Sequence, residues 1–302
     1  MNDLPVSRWD RFWFDPVTPV CVGRVRLMLV CLTIAYFASA WPDVDRWYSE
    51  GAVLSPDSAA SFLRAAGLES QAKWVVSPLF LVTSGWVYRA YLALGIVVGV
   101  VVMTGRGGRA CGFLFWALLV GWANRSMMLS SLSETLLSLG LFAAAIAVPC
   151  SAKSVLSFGT GARDLTPRHW TNGLATKLLM AQTTVFGFAT FATMLAGTVW
   201  WNGLGAYALA APVEDRSIDW SQGLLTNSVV HDVLTTALVL AMPLGLAIVW
   251  LRGRSGLGIA VLCGWSLAIA LLGSHWLYAS TFAAMTFAFR DAGTREWRAR
   301  AA

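Results

Sequence analysis

The stretch PVCVGRVRLMLVCL (residues 19–32) places Arg24 and Arg26 at the start of a long apolar run. A secretory signal peptide has such an arrangement, with a basic region, a short apolar segment and a small-residue cleavage site. The sequence FASAWPD at 37–43 would supply that site. The alternative is a first transmembrane helix over residues 22–41. The rest of the chain distinguishes the two.

The composition is typical of a membrane protein. The 302 residues are 57% hydrophobic and only 13% charged, whereas soluble domains carry about 25% charged residues. The sixteen tryptophans agree with this, because tryptophan concentrates at membrane–water interfaces. The net charge of +6 also raises the possibility of nucleic-acid binding, but the basic residues are scattered among apolar runs and form no patch. We expect the lipid bilayer as a partner and no nucleic acid.

Cysteine spacing gives no sign of a metal centre or a disulfide framework. The sequence contains no CxxC pair and no histidine–cysteine cluster with metal-ligand spacing. We therefore predict that the chain binds no metal. The five cysteines are Cys21, Cys31, Cys111, Cys150 and Cys263.

Eight apolar segments have about the length needed to cross a membrane as helices. A crossing takes about 20 residues, with roughly 17–25 workable. The last segment is short and follows its neighbour closely, so it either spans or lies tilted in the interface. The segments are 22–41, 87–104, 110–128, 133–149, 175–199, 233–251, 257–273 and 275–289. With seven further segments, the first is more economically a transmembrane helix than a cleaved signal. We predict an all-α polytopic transmembrane bundle of about eight helices.

The distribution of lysine and arginine predicts the orientation of the bundle. Cytoplasmic loops carry an excess of these residues. With the N-terminus inside, fourteen of the 22 lysines and arginines fall in cytoplasmic segments and four fall in outer loops. Both termini are therefore predicted to be cytoplasmic. We expect a cytoplasmic segment at 1–18, a membrane domain at 19–289 and a basic cytoplasmic tail at 290–302, in a multi-pass protein of a bacterial inner membrane.

Two predicted outer loops, 42–86 and 200–232, are long enough to carry function. The first contains KWVVSPLFLVTSGW at 73–86, which is too short to span and is either re-entrant or interfacial. The second contains the acids Glu214, Asp215 and Asp219. Any functional surface is therefore expected to face outward.

Two polar residues within the predicted spans are interpreted as structural. Arg26 is two residues deeper than Arg24, about 200° around the helix, so the two arginines do not share a face. A charge at the bilayer centre costs at least about 2.5 kcal/mol. We therefore predict a structural partner for Arg26, either a backbone carbonyl or Glu134, in preference to a substrate contact. Gln182 is predicted to pack or hydrogen-bond between helices.

The stretch WANRSMMLSSLSETLL at 122–137 is the most polar interruption between predicted spans. One interpretation is a turn in which Ser133 caps the fourth helix and Glu134 favours its positive N-terminal end. The other is a polar patch, with Asn124 and Arg125, that lines an outward cavity.

Two histidines near span ends could exchange protons near neutral pH. His231 could instead belong to an N-terminal cap with Asp232, and His275 could be a hydrogen-bonded structural residue. The candidate ligand-binding residues are Asn124, Arg125, Glu134 and His275. We expect the last three to group at the outer side of the membrane, apart from Arg26.

Five stretches, in this order, resemble the HTTM family, the bacterial membrane relatives of vitamin K-dependent gamma-carboxylase. The resemblance covers about residues 9–289 and implies a helical membrane domain with an outward-facing functional surface. The stretches are WDRFWFDPVTPVCVGRVRL at 9–27, WYSEGAVLSPD at 47–57, NRSMMLSSLSETLLSLGLF at 124–142, KLLMAQTTVFGFATFATMLAGTVWWNGLGAYAL at 177–209 and GSHW at 273–276.

The chain departs from that family where the family's chemistry is carried out. By the resemblance, the lysine that serves as the base falls near Met194, and no lysine follows Lys177. A carboxylate of the next helix falls near Val239, ahead of Pro243. Methionine and valine do not transfer protons, so the resemblance implies a protein without the carboxylase base.

Two functional hypotheses follow. The first is a non-carboxylating membrane protein that binds a lipid, a quinone or a peptide in an outward cavity and assists another membrane protein. The second is a membrane enzyme that acts on a quinone or peptide with altered acid–base residues, His275 among them. A transporter is a third class, but the sequence shows no clear inverted repeats.

Overall fold

The computed structural model describes residues 7–49, 51–65, 67, 77–126, 131–152, 155, 168–211, 227–251 and 255–290. Within these ranges the chain is helical, without a β-strand, apart from an isolated bridge between Val17 and His169. The short helices are α1 (Arg8–Phe14), α3 (Val44–Trp47), α4 (Pro56–Ala65), α9 (Thr198–Trp201) and α10 (Gly205–Ala210). The longer helices are α2 (Val20–Ala40), α5 (Gly85–Thr104), α6 (Gly108–Arg125), α7 (Leu132–Ile146), α8 (Trp170–Ala196), α11 (Ser228–Trp250), α12 (Ser255–Gly273) and α13 (Trp276–Thr286). Short 3₁₀ turns occupy Pro78–Leu81 and Phe287–Phe289.

A helix is present at each of the eight positions where the sequence predicts one. Five of these helices, α2, α5, α8, α11 and α12, are long and apolar enough to cross a membrane. The other three are α6 with 18 residues, α7 with 15 and α13 with 11. The chain is thus all-α, with apolar helices compatible with an integral, multi-pass membrane protein.

Helix α7 begins with a capping box formed by Ser131 and Glu134. The Ser131 hydroxyl accepts a hydrogen bond from the Ser133 backbone N–H at 3.1 Å, and the Glu134 carboxylate accepts one from the Ser131 backbone N–H at 2.7 Å. The prediction that Ser133 is the cap is wrong, because the cap lies two residues earlier. The prediction that Glu134 supports the helix N-terminus is confirmed, since a carboxylate there faces the positive end of the helix dipole.

The start of α11 also differs from the prediction. The helix begins at Ser228, where the Asn227 side chain accepts a hydrogen bond from the Val229 backbone N–H at 3.0 Å. His231 is therefore inside the first turn and is not the cap. Its ring stacks on Tyr207 with 5.4 Å between the ring centroids.

Helix α2 lies at the centre of the bundle and packs against α5, α7 and α13. Its contact with α5 is close because α5 presents glycines there. A Cβ atom at Gly99 would lie 2.8 Å from the Phe115 ring and 2.9 Å from the Ile34 side chain. A second group is formed by α8, α11 and α12, and α13 contacts both α2 and α12.

Helices α2, α5 and α6 alternate in direction along the chain, each antiparallel to the one before it. We name the two ends of the bundle after Arg26 and Arg125. The Arg26 end is where α2 and α6 begin and α5 ends. There Gly105 has a φ of +75°, and a Cβ atom would lie 2.8 Å from the Ser151 backbone nitrogen. The Arg125 end is where α2 and α6 end and α5 begins.

Candidate functional site

Arg125 is the last residue of α6 and is 2% exposed. Its Nε donates a hydrogen bond to the Tyr88 hydroxyl at 3.0 Å, and its Nη2 donates one to the Leu54 carbonyl oxygen at 2.5 Å. Nη1 has no acceptor within the described ranges. The guanidinium is therefore fixed by two bonds and keeps N–H donors for a further acceptor.

Aromatic rings surround this guanidinium. Its central carbon lies 5.3 Å from the centroid of Tyr48, 5.2 Å from Phe80 and 5.5 Å from Tyr88. Trp122 packs against Tyr48 with 4.9 Å between ring centroids. Desolvated contacts of this type stabilise a cation through the negative faces of the rings. We call Arg125, Tyr48, Phe80, Tyr88 and Trp122 the Arg125 centre.

Carboxylates do not neutralise Arg125 in the part of the chain that the structure describes. The ion pair recorded there joins Arg89 and Asp45 at 2.5 Å, on the surface of the same end. The positive charge of Arg125 is thus held by the rings, one hydroxyl and one carbonyl.

Two loop segments close over the Arg125 centre. The Tyr88 hydroxyl donates a hydrogen bond to the Val82 carbonyl at 2.7 Å, which holds the turn before α5. The Ser77 hydroxyl donates one to the Gly121 carbonyl at 2.7 Å, which ties the same turn to α6. On the other side, the Leu54 backbone N–H bonds to the Trp47 carbonyl at 2.9 Å. These bonds place the Leu54 carbonyl where Arg125 reaches it.

Glu134 lies beside the centre and is 7% exposed. Tyr48 lies within electrostatic range of both Arg125 and Glu134. Burial raises the pKa of the Tyr48 hydroxyl, and the neighbouring Ser126 hydroxyl and Arg125 charge offset part of that rise. Glu134 also accepts a hydrogen bond from the Ser131 hydroxyl at 2.8 Å, so its carboxylate has a structural role.

Among the described residues, no side-chain hydrogen bond or ring contact joins Asn124 or His275, the other two candidate residues, to the Arg125 centre. Asn124 is half-buried, and its side chain makes no hydrogen bond within those ranges. His275 is exposed and precedes α13, where its ring lies next to Gly273. The expected grouping of His275 with Arg125 at the outer side of the membrane stays a prediction.

The two residues predicted to be structural, Arg26 and Gln182, make no side-chain hydrogen bond within the described part of the chain. Arg26 is 5% exposed, and its Nη1 has no acceptor there. Glu134, the carboxylate proposed for it, binds its own capping box instead. The Gln182 side-chain oxygen is also buried without a partner among the described residues. An open pocket lies beside Arg26, at the end opposite the Arg125 centre.

Sequence reasoning missed the tyrosines and the phenylalanine of the centre. Tyr48 lies in the stretch WYSEGAVLSPD, whose resemblance to an outer family segment was the available signal. Phe80 precedes the predicted span 87–104, and Tyr88 lies at its start. Aromatic residues are common at span ends because they concentrate at the membrane–water interface. Their convergence on Arg125 depends on loop folding, which has no periodic signature.

Comparisons with protein-family models, curated proteins and solved structures give no match for this chain.

Proposed function

We propose that this chain is an HTTM-like protein of a bacterial inner membrane, with eight spans and both termini in the cytoplasm. It binds a quinone, lipid or peptide at the Arg125 centre and does not carboxylate it. The topology is supported by helices at the eight predicted positions and by the placement of basic residues. The family is supported by the order of the five sequence stretches.

The observation that carries the binding function is the unused donor of Arg125. A guanidinium that is 2% exposed and lacks an acceptor at Nη1 leaves a costly buried donor unsatisfied. A ligand oxygen at this position removes that cost. Ligand binding is therefore expected to stabilise the Arg125 centre, because the buried donor gains an acceptor.

Of the three ligand classes, a quinone suits the centre best. A quinone has a flat ring that stacks on aromatic side chains, and its carbonyl oxygens accept hydrogen bonds from a guanidinium. Tyr48, Phe80 and Trp122 supply rings, and Arg125 supplies the donor. Lipid and peptide carbonyls share the acceptor but lack the planar ring.

The absence of carboxylation is supported by the two positions where the family resemblance places proton-transfer groups. Met194 is 4% exposed and belongs to the apolar core. Val239 packs against the same core. The exposed His275 has no contact with the Arg125 centre through described residues, so it is not positioned to replace the base. We therefore propose binding rather than catalysis, in support of another membrane protein.

Reporter fusions test the topology. A reporter that is active only in the periplasm, fused after residue 60 and separately after residue 215, is expected to give signal at both sites. A fusion after residue 302 is expected to give none. Absence of signal at both internal sites would overturn the orientation.

Ligand titration tests the binding site. We expect a short-chain ubiquinone to quench the tryptophan fluorescence of the purified protein in uncharged detergent, because Trp122 lies in the centre. Arg125→Lys keeps the charge but loses the planar fork of donors, and its affinity is expected to fall at least tenfold. Arg89→Lys, at the same end and on the surface, is the matched control and should bind as the wild type does. Equal quenching in both variants would place the quinone elsewhere.

Turnover assays separate binding from catalysis. Purified protein supplied with reduced quinone, bicarbonate and oxygen is expected to give neither quinone epoxide nor fixed carbon. Turnover above that of a boiled sample would support the altered enzyme instead.

A further inference from the structure

The pocket at the Arg26 end combines apolar walls with a buried cation. Its empty space, including the open mouth, is about 210 Å³, and the interior is narrow. Six lining residues are Gly23, Leu27, Val30, Val102, Met103 and Val155. The polar side chains of the lining are those of Arg26 and Cys150.

The guanidinium of Arg26 lines this pocket and lies beside Gly112 of α6. A Cβ atom at Gly112 would be in ordinary contact with Arg26 Nη2, at 3.5 Å. The residue is 5% exposed, and no hydrogen bond or ion pair of its side chain is found among the described residues. Its recorded electrostatic neighbours are two thiols, Cys111 and Cys150. A buried cation in this position lacks the partner that such groups usually have in membranes.

We propose that the pocket binds the negatively charged headgroup of a membrane lipid. One headgroup oxygen enters the narrow interior and accepts hydrogen bonds from Arg26, while the first carbons of the lipid lie along Leu27 and Met103. The narrow interior admits an oxygen but not the whole headgroup, which stays at the mouth. If the Arg26 end faces the cytoplasm, the ligand comes from the inner leaflet.

This proposal is independent of the Arg125 centre. The two sites lie at opposite ends of the bundle, and they differ in chemistry. The Arg125 centre is lined by aromatic rings, whereas the Arg26 pocket is lined by aliphatic side chains and one thiol. Loss of one kind of binding therefore leaves the other in place.

Lipid binding to the purified protein tests the proposal. In uncharged detergent, dioleoyl phosphatidylglycerol is expected to bind at least tenfold more tightly than dioleoyl phosphatidylcholine, as measured by native mass spectrometry. Arg26→Gln is expected to remove that preference. Arg106→Gln changes an exposed arginine at the same end and should keep it. Equal preference in Arg26→Gln and the wild type would overturn the proposal.

A second pocket variant and a competition with inorganic phosphate complete the test of the lipid site. Ala152→Leu narrows the pocket while retaining Arg26, and it is expected to weaken phosphatidylglycerol binding at least fivefold with unchanged quinone titration. This variant answers the question even if Arg26→Gln fails to fold. Inorganic phosphate at millimolar concentration is expected not to displace the lipid. Displacement by phosphate alone would show a site for a free anion and contradict a lipid site.

Discussion

The surroundings of Arg125 and Arg26 differ, although both arginines are more than nine-tenths buried. The two residues lie at opposite ends of the same bundle. Arg125 donates two hydrogen bonds and lies among three aromatic rings. Arg26 has no hydrogen bond within the described ranges and lies beside an open pocket. Burial alone therefore does not indicate what a charged side chain does. The hydrogen-bond and ring partners of the guanidinium are what differ: Arg125 has them within the protein, whereas Arg26 has donors available to a ligand.

The largest expected effect is that of removing Arg125. Arg125→Met leaves the Leu54 carbonyl and the Tyr88 hydroxyl without their donor, and hydrogen bonds to charged groups contribute about 1.5–3 kcal/mol each. Relief of the buried charge offsets part of this loss. We expect the free energy of unfolding to fall by about 2–4 kcal/mol, as measured by denaturant titration in mild detergent.

The control for Arg125→Met is Arg89→Met. This substitution breaks the exposed ion pair with Asp45, which is worth at most about 1 kcal/mol. A loss of stability in Arg125→Met that does not exceed the loss in Arg89→Met would contradict the structural role of the Arg125 contacts.

A pair of tyrosine substitutions sharpens the comparison within the Arg125 centre. Tyr88→Phe removes the acceptor of Arg125 Nε, so a buried charged donor is left unpaired at a cost of about 1–3 kcal/mol. Tyr48→Phe keeps its ring over the guanidinium and loses only the hydroxyl contact with Ser126, so its cost is expected to stay below about 1.5 kcal/mol. Thermal unfolding followed by tryptophan fluorescence should rank the two in that order. The reverse ranking would show that the Tyr48 hydroxyl contributes more than the Tyr88 hydroxyl, and would contradict the weight given to the hydrogen bond between Arg125 and Tyr88.

Removing Arg26 is expected to have the opposite sign. Arg26→Met breaks no hydrogen bond recorded in the described ranges and removes a buried charge. The free energy of unfolding should stay unchanged or rise by up to about 2.5 kcal/mol. The measurement is made on lipid-free protein, because a bound anionic lipid would stabilise the wild type alone. A clear loss of stability without lipid would mean that Arg26 has a structural partner after all.

Sequence reasoning found the helices more reliably than the site, for a physical reason. Hydrophobic length is a local property of the chain, so each predicted span corresponds to a helix. The capping box at α7 was partly predictable, since Glu134 follows Ser131 at the required spacing. The environment of Arg125 depends on loops that bring Leu54 and Phe80 to the end of α6. No local pattern encodes that convergence.

Two expectations rested on membrane depth and on charge. His275 was grouped with Arg125 because both were predicted at the outer side, and no hydrogen bond of Arg125 within the described residues goes to His275. The predicted partner of Arg26 was either a backbone carbonyl or Glu134. The fold instead uses that carboxylate to begin α7, because the unpaired N–H groups of a helix start are close at hand.

The smallest expected effect concerns the thiol that shares the pocket with Arg26. Burial raises the pKa of Cys150, and the nearby Arg26 charge lowers it in part. Arg26→Gln removes the lowering influence, so the pKa of Cys150 should rise further. The neutral thiol stabilises the fold below the unfolded-state pKa of about 8.5, and this contribution is lost as pH rises through the folded-state pKa.

Alkylation of Cys150 measures this pKa, in a background with the other four cysteines changed to alanine. Because the pKa of Cys150 rises in Arg26→Gln, the pH of half-maximal alkylation should move upward in that variant. The exposed-arginine variant Arg106→Gln should leave it nearly unchanged, and an equal shift in both variants would mean that Arg26 does not act on the pocket directly.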